Sequence, residues 1–337
     1  MTDYMKSWLT VGEQIQLLMD RGVSIDDEQR AATVLKAIGY YRLTGYLYPF
    51  LQSEQYQDAE GRTQLRILNQ YQPGTTLQHA EEIIDFDRQL RMHILEGIER
   101  IEIAARMRIG YILGCNDPYA HERDVNFIEK FTAQHTDTRW PAPSKHVMWL
   151  QGVNKRKEDA DERLVKQFED NGDNRIPIWV LCEILELGQL SNLYRNLTQE
   201  LADEIANSFG VPTKYLMASW LASLNYARNL TAHHARLFNR KLQNAPARPK
   251  LGQVPPLDHL RKLHTAKSNF GTYNVLAVIA YLLPFIDPNI EWASRTCALL
   301  RGFPTSQFVS VESLGVPQDW ESYELWQPYL QEPPISH

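Results

Sequence analysis

Between Leu77 and about Leu113, apolar residues return at Ile83, Phe86, Leu90, Ile94, Ile98, Ile101, Ala105 and Ile109. A spacing of three to four covers one stripe of a helix, so this stretch predicts a long amphipathic helix, with Gly114 as its stop. No strong period-two alternation occurs elsewhere, and no unit repeats at a fixed spacing. The fold class that follows is all-α, a multi-helix bundle.

The remaining segments fit around that helix. Residues 8–50 read as two or three helices, running into the aromatic segment KAIGYYRLTGYLYPF, and residues 51–75 are polar and read as a connection. From about Asn116 to Arg175 the pattern dissolves into loop and exposed helix, with NKRKEDADER (Asn154–Arg163) almost wholly polar. Order returns at IPIWVLCEILELGQLSNLYRNL, a helix with an expected break at Gly188. Gly210, Val211 and Pro212 mark a turn into another helix, with proline in its first turn. The buried stripe of that helix is Leu216, Trp220, Leu224 and Ala227, and it should run to the neighbourhood of His233. Leu242–Pro256 holds Pro246, Pro249, Pro255 and Pro256, which argues for an extended surface connection. A final helical part is expected from about His259 to Leu300, and the segment after Phe308 is irregular.

Composition narrows the class of partner. At 337 residues, 43% hydrophobic and 23% charged, the chain is an ordinary globular protein of one or two domains. Cys115, Cys182 and Cys297 are odd in number and far apart, which supports neither a disulfide framework nor a zinc knuckle and fits a reducing, cytoplasmic compartment. The N-terminus lacks a basic segment followed by an apolar run. The longest apolar stretch, Leu276–Ile286 with Pro284 inside it, is too short to span a bilayer, so no membrane partner is expected.

The net charge of −6 hides a local asymmetry. Between Ile205 and Leu257 there is no Asp or Glu, while Lys214, Arg228, Arg236, Arg240, Lys241, Arg248 and Lys250 all fall there, with His233 and His234 among them. The window reads as an electropositive island, or more blandly as a solvated face that lacks acids.

Inside it lies NYARNLTAHHARLFNR, Asn225–Arg240, with Arg228 and His233 separated by four residues. Spacing alone is weak, since roughly two Arg-x(4–6)-His pairs are expected by chance. Arg88 with His93 has the same separation and reads as the polar surround of a buried stripe; Arg139 with His146 is two residues wider. On the residues alone, His233 and His234 are either helix-end cations or catalytic groups. The catalytic reading rests on metal-independent RNA cleavage, in which a 2′-hydroxyl attacks the neighbouring phosphate. That reaction needs a proton carrier near neutrality, for which histidine is suited, and a fixed cation for the transition-state charge, for which arginine is suited. Five positions apart on a helix, Arg228 and His233 point about 140° from each other. They form one compact pair only if the helix ends or kinks between them, or a second subunit completes the site.

RNLTAHHARLFNR resembles the signature of the Abi family of bacterial abortive-infection proteins, of the AbiD and AbiF type, whose C-terminal part resembles HEPN ribonucleases. GYYRLTGYLYPF, FDRQLRMHILEGIERIEIAARMRIGY, IPIWVLCEILELGQLSNLYRNL and IANSFGVPTKYLMASWLASLNYARNLTAHH resemble that family in the same order, together covering most of residues 30–245. The resemblance implies a HEPN-like helical core at 76–300, with the exposed insertion at about 116–175. It would be preceded by an N-terminal helical region at 1–75 and followed by an irregular tail at 301–337. It implies RNA as substrate, no metal or other cofactor, and a homodimer whose composite site takes Arg228, Asn229 and His233 from each copy, with His234 as an additional candidate. It further implies a toxin of a phage-defence or toxin–antitoxin system, restrained in some relatives by a small structured RNA. Phe238 stands where most relatives have tryptophan.

Arg42, Arg236, Arg240, Lys241 and Arg248 are the candidate RNA contacts. Arg42 is among them because an arginine between tyrosines can meet both phosphate and base, although Tyr40, Tyr41, Tyr46 and Tyr48 themselves read more simply as core. The competing reading is a non-catalytic RNA-binding module. A helix-turn-helix near residues 10–40 is disfavoured by Asp26, Asp27 and Glu28, and His93, Glu96, Glu99 and Glu102 spread around a helix as its wet face rather than forming a metal site.

Overall fold

The structure, a computed structural model, describes residues 8–134, 142–160, 165–166, 175–262 and 271–330. The chain begins with three helices, α1 (Val11–Asp20), α2 (Glu28–Ile38) and α3 (Tyr40–Tyr46). Thr10 and Glu13 cap α1 reciprocally, and Asp27 accepts the Arg30 amide at 2.9 Å at the start of α2. A hairpin of β1 (Leu51–Gln57) and β2 (Thr63–Tyr71) follows. Then comes α4 (Leu77–Gly114), 38 residues long and roughly 57 Å from end to end.

Helix α4 is the axis of the molecule. Its expected stripe is buried throughout, from Ile83 to Ile109. Against it pack α7 (Ile178–Ile184), α8 (Leu187–Asn196), α9 (Gln199–Ser208), α10 (Lys214–Ala232), α12 (Thr272–Leu282) and α13 (Trp292–Arg301), with α3 at its N-terminal half. Gly97 permits this crowding, because a Cβ there would meet Ile279 Cγ2 of α12 at 2.6 Å and the Trp292 ring of α13 at 2.9 Å. Helix α12 is buried from Thr272 to Ala280, so the longest apolar stretch of the sequence begins in a core helix and ends in a short turn where Pro284 and Phe285 are exposed. Among the described residues no helix is long and apolar enough to cross a membrane. The described residues also include the short α5 (Glu129–Thr132) and α11 (His259–Lys262) and the 14-residue α6 (Lys145–Glu158). After Phe308 the chain runs in single 3₁₀ turns, and Trp326 closes over the core by donating from Nε1 to Tyr273 Oη at 3.0 Å.

The mostly helical class is as the sequence predicts, with four local departures. Residues 51–71 form an antiparallel ribbon instead of a connection, with Glu54 opposite Arg66 and Tyr56 opposite Gln64. Both faces of the ribbon are largely exposed, so no alternating apolar pattern marks it; Asp58 organises its turn by accepting the amides of Glu60 and Arg62. The break expected at Gly188 falls earlier, at Leu185 and Glu186, where Gln189 accepts the Glu186 amide. Gly188 lies inside α8, where a Cβ would come within 3.3 Å of the Asn225 amide on α10. Pro212 precedes the Thr213 cap and lies outside the first turn of α10. Finally, Leu242–Pro256 is irregular as expected, but it is not a purely surface segment, because Leu242, Pro246, Pro249 and Val254 are buried along it. Of the two other Arg–His pairs, Arg139 lies outside the described residues, while His146 is buried, bonded to Asp124 and to the His121 carbonyl.

Candidate active site

Helix α10 carries the Arg228–His233 motif. Thr213 caps it by accepting the Leu216 amide, and Leu216, Trp220, Leu224 and Ala227 are buried as its core stripe. Two further bonds fix its roll. Trp220 Nε1 donates to the Ala247 carbonyl and Ser223 Oγ to the Asn244 carbonyl, both at 2.8 Å.

The helix ends at the motif itself. His233 is the C-cap, and His234 adopts the left-handed conformation at φ 57°. The His234 amide donates to Thr231 O at 3.1 Å and the Ala235 amide to Leu230 O at 2.9 Å, the paired bonds of a Schellman ending. Glycine is the usual resident of this position, because a side chain there crowds its own backbone. The strain is held by surrounding bonds: Arg42 Nη2 of α3 donates to the His234 carbonyl at 2.8 Å.

A buried carboxylate fixes the next residues. Asp87, fully buried on α4, accepts the amides of Leu237 at 3.0 Å and Phe238 at 2.7 Å on one oxygen. Its other oxygen accepts the Tyr46 hydroxyl at 2.6 Å and pairs with Arg91 one turn along. Four donors compensate a charge that would otherwise be costly to bury. Burial, with the Asp87 charge adding to it, pushes the Tyr46 hydroxyl up to about 12, so it remains a donor. Phe238 stacks on Tyr46 with centroids 6.3 Å apart, and the Arg236 guanidinium lies 5.7 Å from the same ring.

Asn229, His233 and His234 are exposed and Arg228 is half-buried. Arg228 Nη1 donates to Asn229 Oδ1 at 3.4 Å. Among the described residues no salt bridge engages Arg228, Arg240 or Lys241. Other cations of the acid-free window are less open to solvent: Lys214 Nζ bonds the Leu197 carbonyl, Arg236 lies over Tyr46 with a buried Nη1 that has no partner among the described residues, and Arg248 is partly desolvated. Helix α10 is unbroken between Arg228 and His233, so their directions diverge by about 140° within one chain.

The other candidate groups are structural in their surroundings. His93 stacks on Trp292 at 4.3 Å and bonds Thr296 Oγ1, and burial pulls it down to about 4. Glu96 pairs with Arg295 and Glu102 with Arg106, and no cluster of three metal-ligating side chains occurs among the described residues. Tyr46 is core, whereas Tyr41 and Tyr48 are exposed. Asp87 is the residue that sequence reasoning missed. Its signal was its place on the buried face of α4, one turn from Ile83 and one turn from Arg91, where an aspartate needs a reason.

The molecule is thus a mostly helical protein with a strained helix end presented to solvent by a buried polar network. The family model for "Abi-like protein" matches residues 33–239, well over half of the chain, and the chain belongs to that family. Membership suggests a role in abortive infection or defence and is compatible with a nuclease. Comparison with curated proteins and with solved structures gave no match.

Proposed function

We propose that this protein is a cytoplasmic, metal-independent endoribonuclease toxin of the HEPN type, acting in phage defence or a toxin–antitoxin pair, and that Arg228, Asn229 and His233 carry the reaction. The observation behind this reading is the helix end. An exposed histidine sits at a C-cap whose shape is fixed from both sides, with an arginine earlier on the same helix that makes no salt bridge among the described residues, and no carboxylate in the segment. Fixed groups of this kind lower the reorganisation needed when charge develops.

In the reaction His233 takes the proton of a ribose 2′-hydroxyl, and the oxygen forms a bond to the adjacent phosphorus. Arg228 meets the added negative charge, with Asn229 holding its guanidinium. The bond to the 5′-oxygen breaks, that oxygen takes a proton, and a 2′,3′-cyclic phosphate remains. Because Arg228 and His233 diverge within one chain, the reading requires a homodimer in which each motif completes the other. His234 holds the left-handed turn just after the C-cap, and Arg42, Arg240 and Lys241 guide the RNA.

Expression in a bacterial host tests the proposal: wild type should arrest growth, and His233→Ala should not while remaining a folded dimer. Arrest by the variant equal to wild type rejects the assignment. The divergence of Arg228 and His233 also favours a second reading, a non-catalytic module that holds a small structured RNA on the same positive surface. RNA that stays intact while bound, with affinity falling steeply as salt rises, would select it.

A further inference from the structure

A concave site lies near the C-terminal end of α8. A cavity of about 590 Å³ opens between α5, α6 and the last turns of α8, within the range of roughly 300–1,000 Å³ typical of ligand sites. Lys130, Lys145 and Arg195 stand around it, one from each helix, and among the described residues no carboxylate lines it. All three are exposed, and none makes a salt bridge or a hydrogen bond among the described residues. Asn192 and Asn196 add amide groups beside them, and the buried rings of Phe131 and Trp149 form an apolar floor.

Two features separate this arrangement from a solvated basic face. Its scaffold is bonded across the chain, because the Ile128 amide donates to Asn196 O and the Thr198 amide to Asn126 O, each at 2.9 Å, closing an antiparallel bridge between Phe127 and Leu197. In addition, the Trp149 indole N–H is buried with no acceptor among the described residues, which leaves the floor with an unsatisfied donor. Cations fixed around an aromatic floor suit a ligand that has both a negative group and a flat ring.

We propose that this pocket binds a nucleotide, its phosphate held by Lys130, Lys145 and Arg195 and its base against the Phe131 and Trp149 floor. The nucleotide is either free or one residue of a single-stranded RNA. Helix α8 connects the pocket to the candidate active site: Gly188 meets Asn225 on α10, one turn before Arg228, and Arg195 lies roughly 10 Å further along the α8 axis. The pocket does not depend on the catalytic assignment, and its test is made on a chain that cannot use His233.

The full-length His233→Ala protein is titrated into a fluorescein-labelled uridine decamer by fluorescence anisotropy. A pocket variant adds Lys130→Ala, Lys145→Ala and Arg195→Ala; a control of equal charge change adds Lys36→Ala, Arg62→Ala and Arg66→Ala, all exposed. The pocket variant should bind about tenfold more weakly or worse, and the control within about twofold of the parent. Displacement of the decamer by uridine 5′-monophosphate would make a free nucleotide sufficient, whereas failure to displace would assign the site to a nucleotide within a strand. Equal affinity of parent and pocket variant, equal loss in pocket variant and control, or no binding by the parent would overturn the proposal.

Discussion

Arg42 and His234, 192 positions apart in sequence, are joined by a 2.8 Å bond from a guanidinium to the carbonyl of a residue in the left-handed conformation. The bond ties the N-terminal helices to the end of the motif helix, so the candidate site depends on a residue far from it in the chain. Arg42→Ala should lower stability by about 1 kcal/mol, the loss of one partly exposed charged donor. RNA cleavage should fall further than that loss explains, when measured at a temperature where both proteins are folded, and Arg42→Lys should restore part of it. Cleavage unchanged in Arg42→Ala would show that the clamp does not position His233.

Asp87 should be far less tolerant. Asp87→Ala leaves Arg91 buried without its partner and two amides without an acceptor. The expected destabilisation is about 3–5 kcal/mol by urea unfolding. Tyr46→Phe, which removes one neutral donor from the same carboxylate, should fall nearer 1 kcal/mol. Similar values for the two variants would mean that the carboxylate does not organise the network.

His234 gives a test of backbone strain. Since φ is 57° there, His234→Gly should keep or raise the melting temperature, the relief of crowding being offset by a more flexible unfolded chain. His234→Val, β-branched, should lower stability by about 1–2 kcal/mol. A glycine variant clearly less stable than wild type would show that the His234 side chain, rather than its backbone, holds the turn.

Much of the scaffold was written in the sequence. The stripe from Ile83 to Ile109 and the stop at Gly114 define α4, and Leu216, Trp220, Leu224 and Ala227 define the buried face of α10. Such faces are legible because burial repeats with the helical period. The ribbon at residues 51–71 was not, since side chains with water on both faces need no alternation. Nor were the partners of the motif: Arg42 and Asp87 reach it from 192 and 150 positions away, through bonds that no local spacing encodes. Arg236 looked like any other cation of its window until the structure placed it over Tyr46.

Stability should also depend on pH in a defined direction. Burial pulls His93, His121 and His259 down from 6.5 to about 4 in the folded chain. Between those values the unfolded chain binds more protons than the folded one, so stability is full above about 6.5 and is lost as pH falls toward 4. The melting temperature should drop across that interval, and His259→Gln should shrink the drop. A flat profile from pH 7 to 4 would contradict the burial of these rings as neutral groups.

The central claim is tested most directly by incubating the purified protein with a labelled single-stranded RNA in the presence of a chelator, beside Arg228→Ala and His233→Ala, and identifying the product ends. The account expects cleavage that leaves 2′,3′-cyclic phosphate ends and is lost in both variants. Cleavage that persists in His233→Ala, or RNA that the wild-type protein binds and leaves intact, would contradict it.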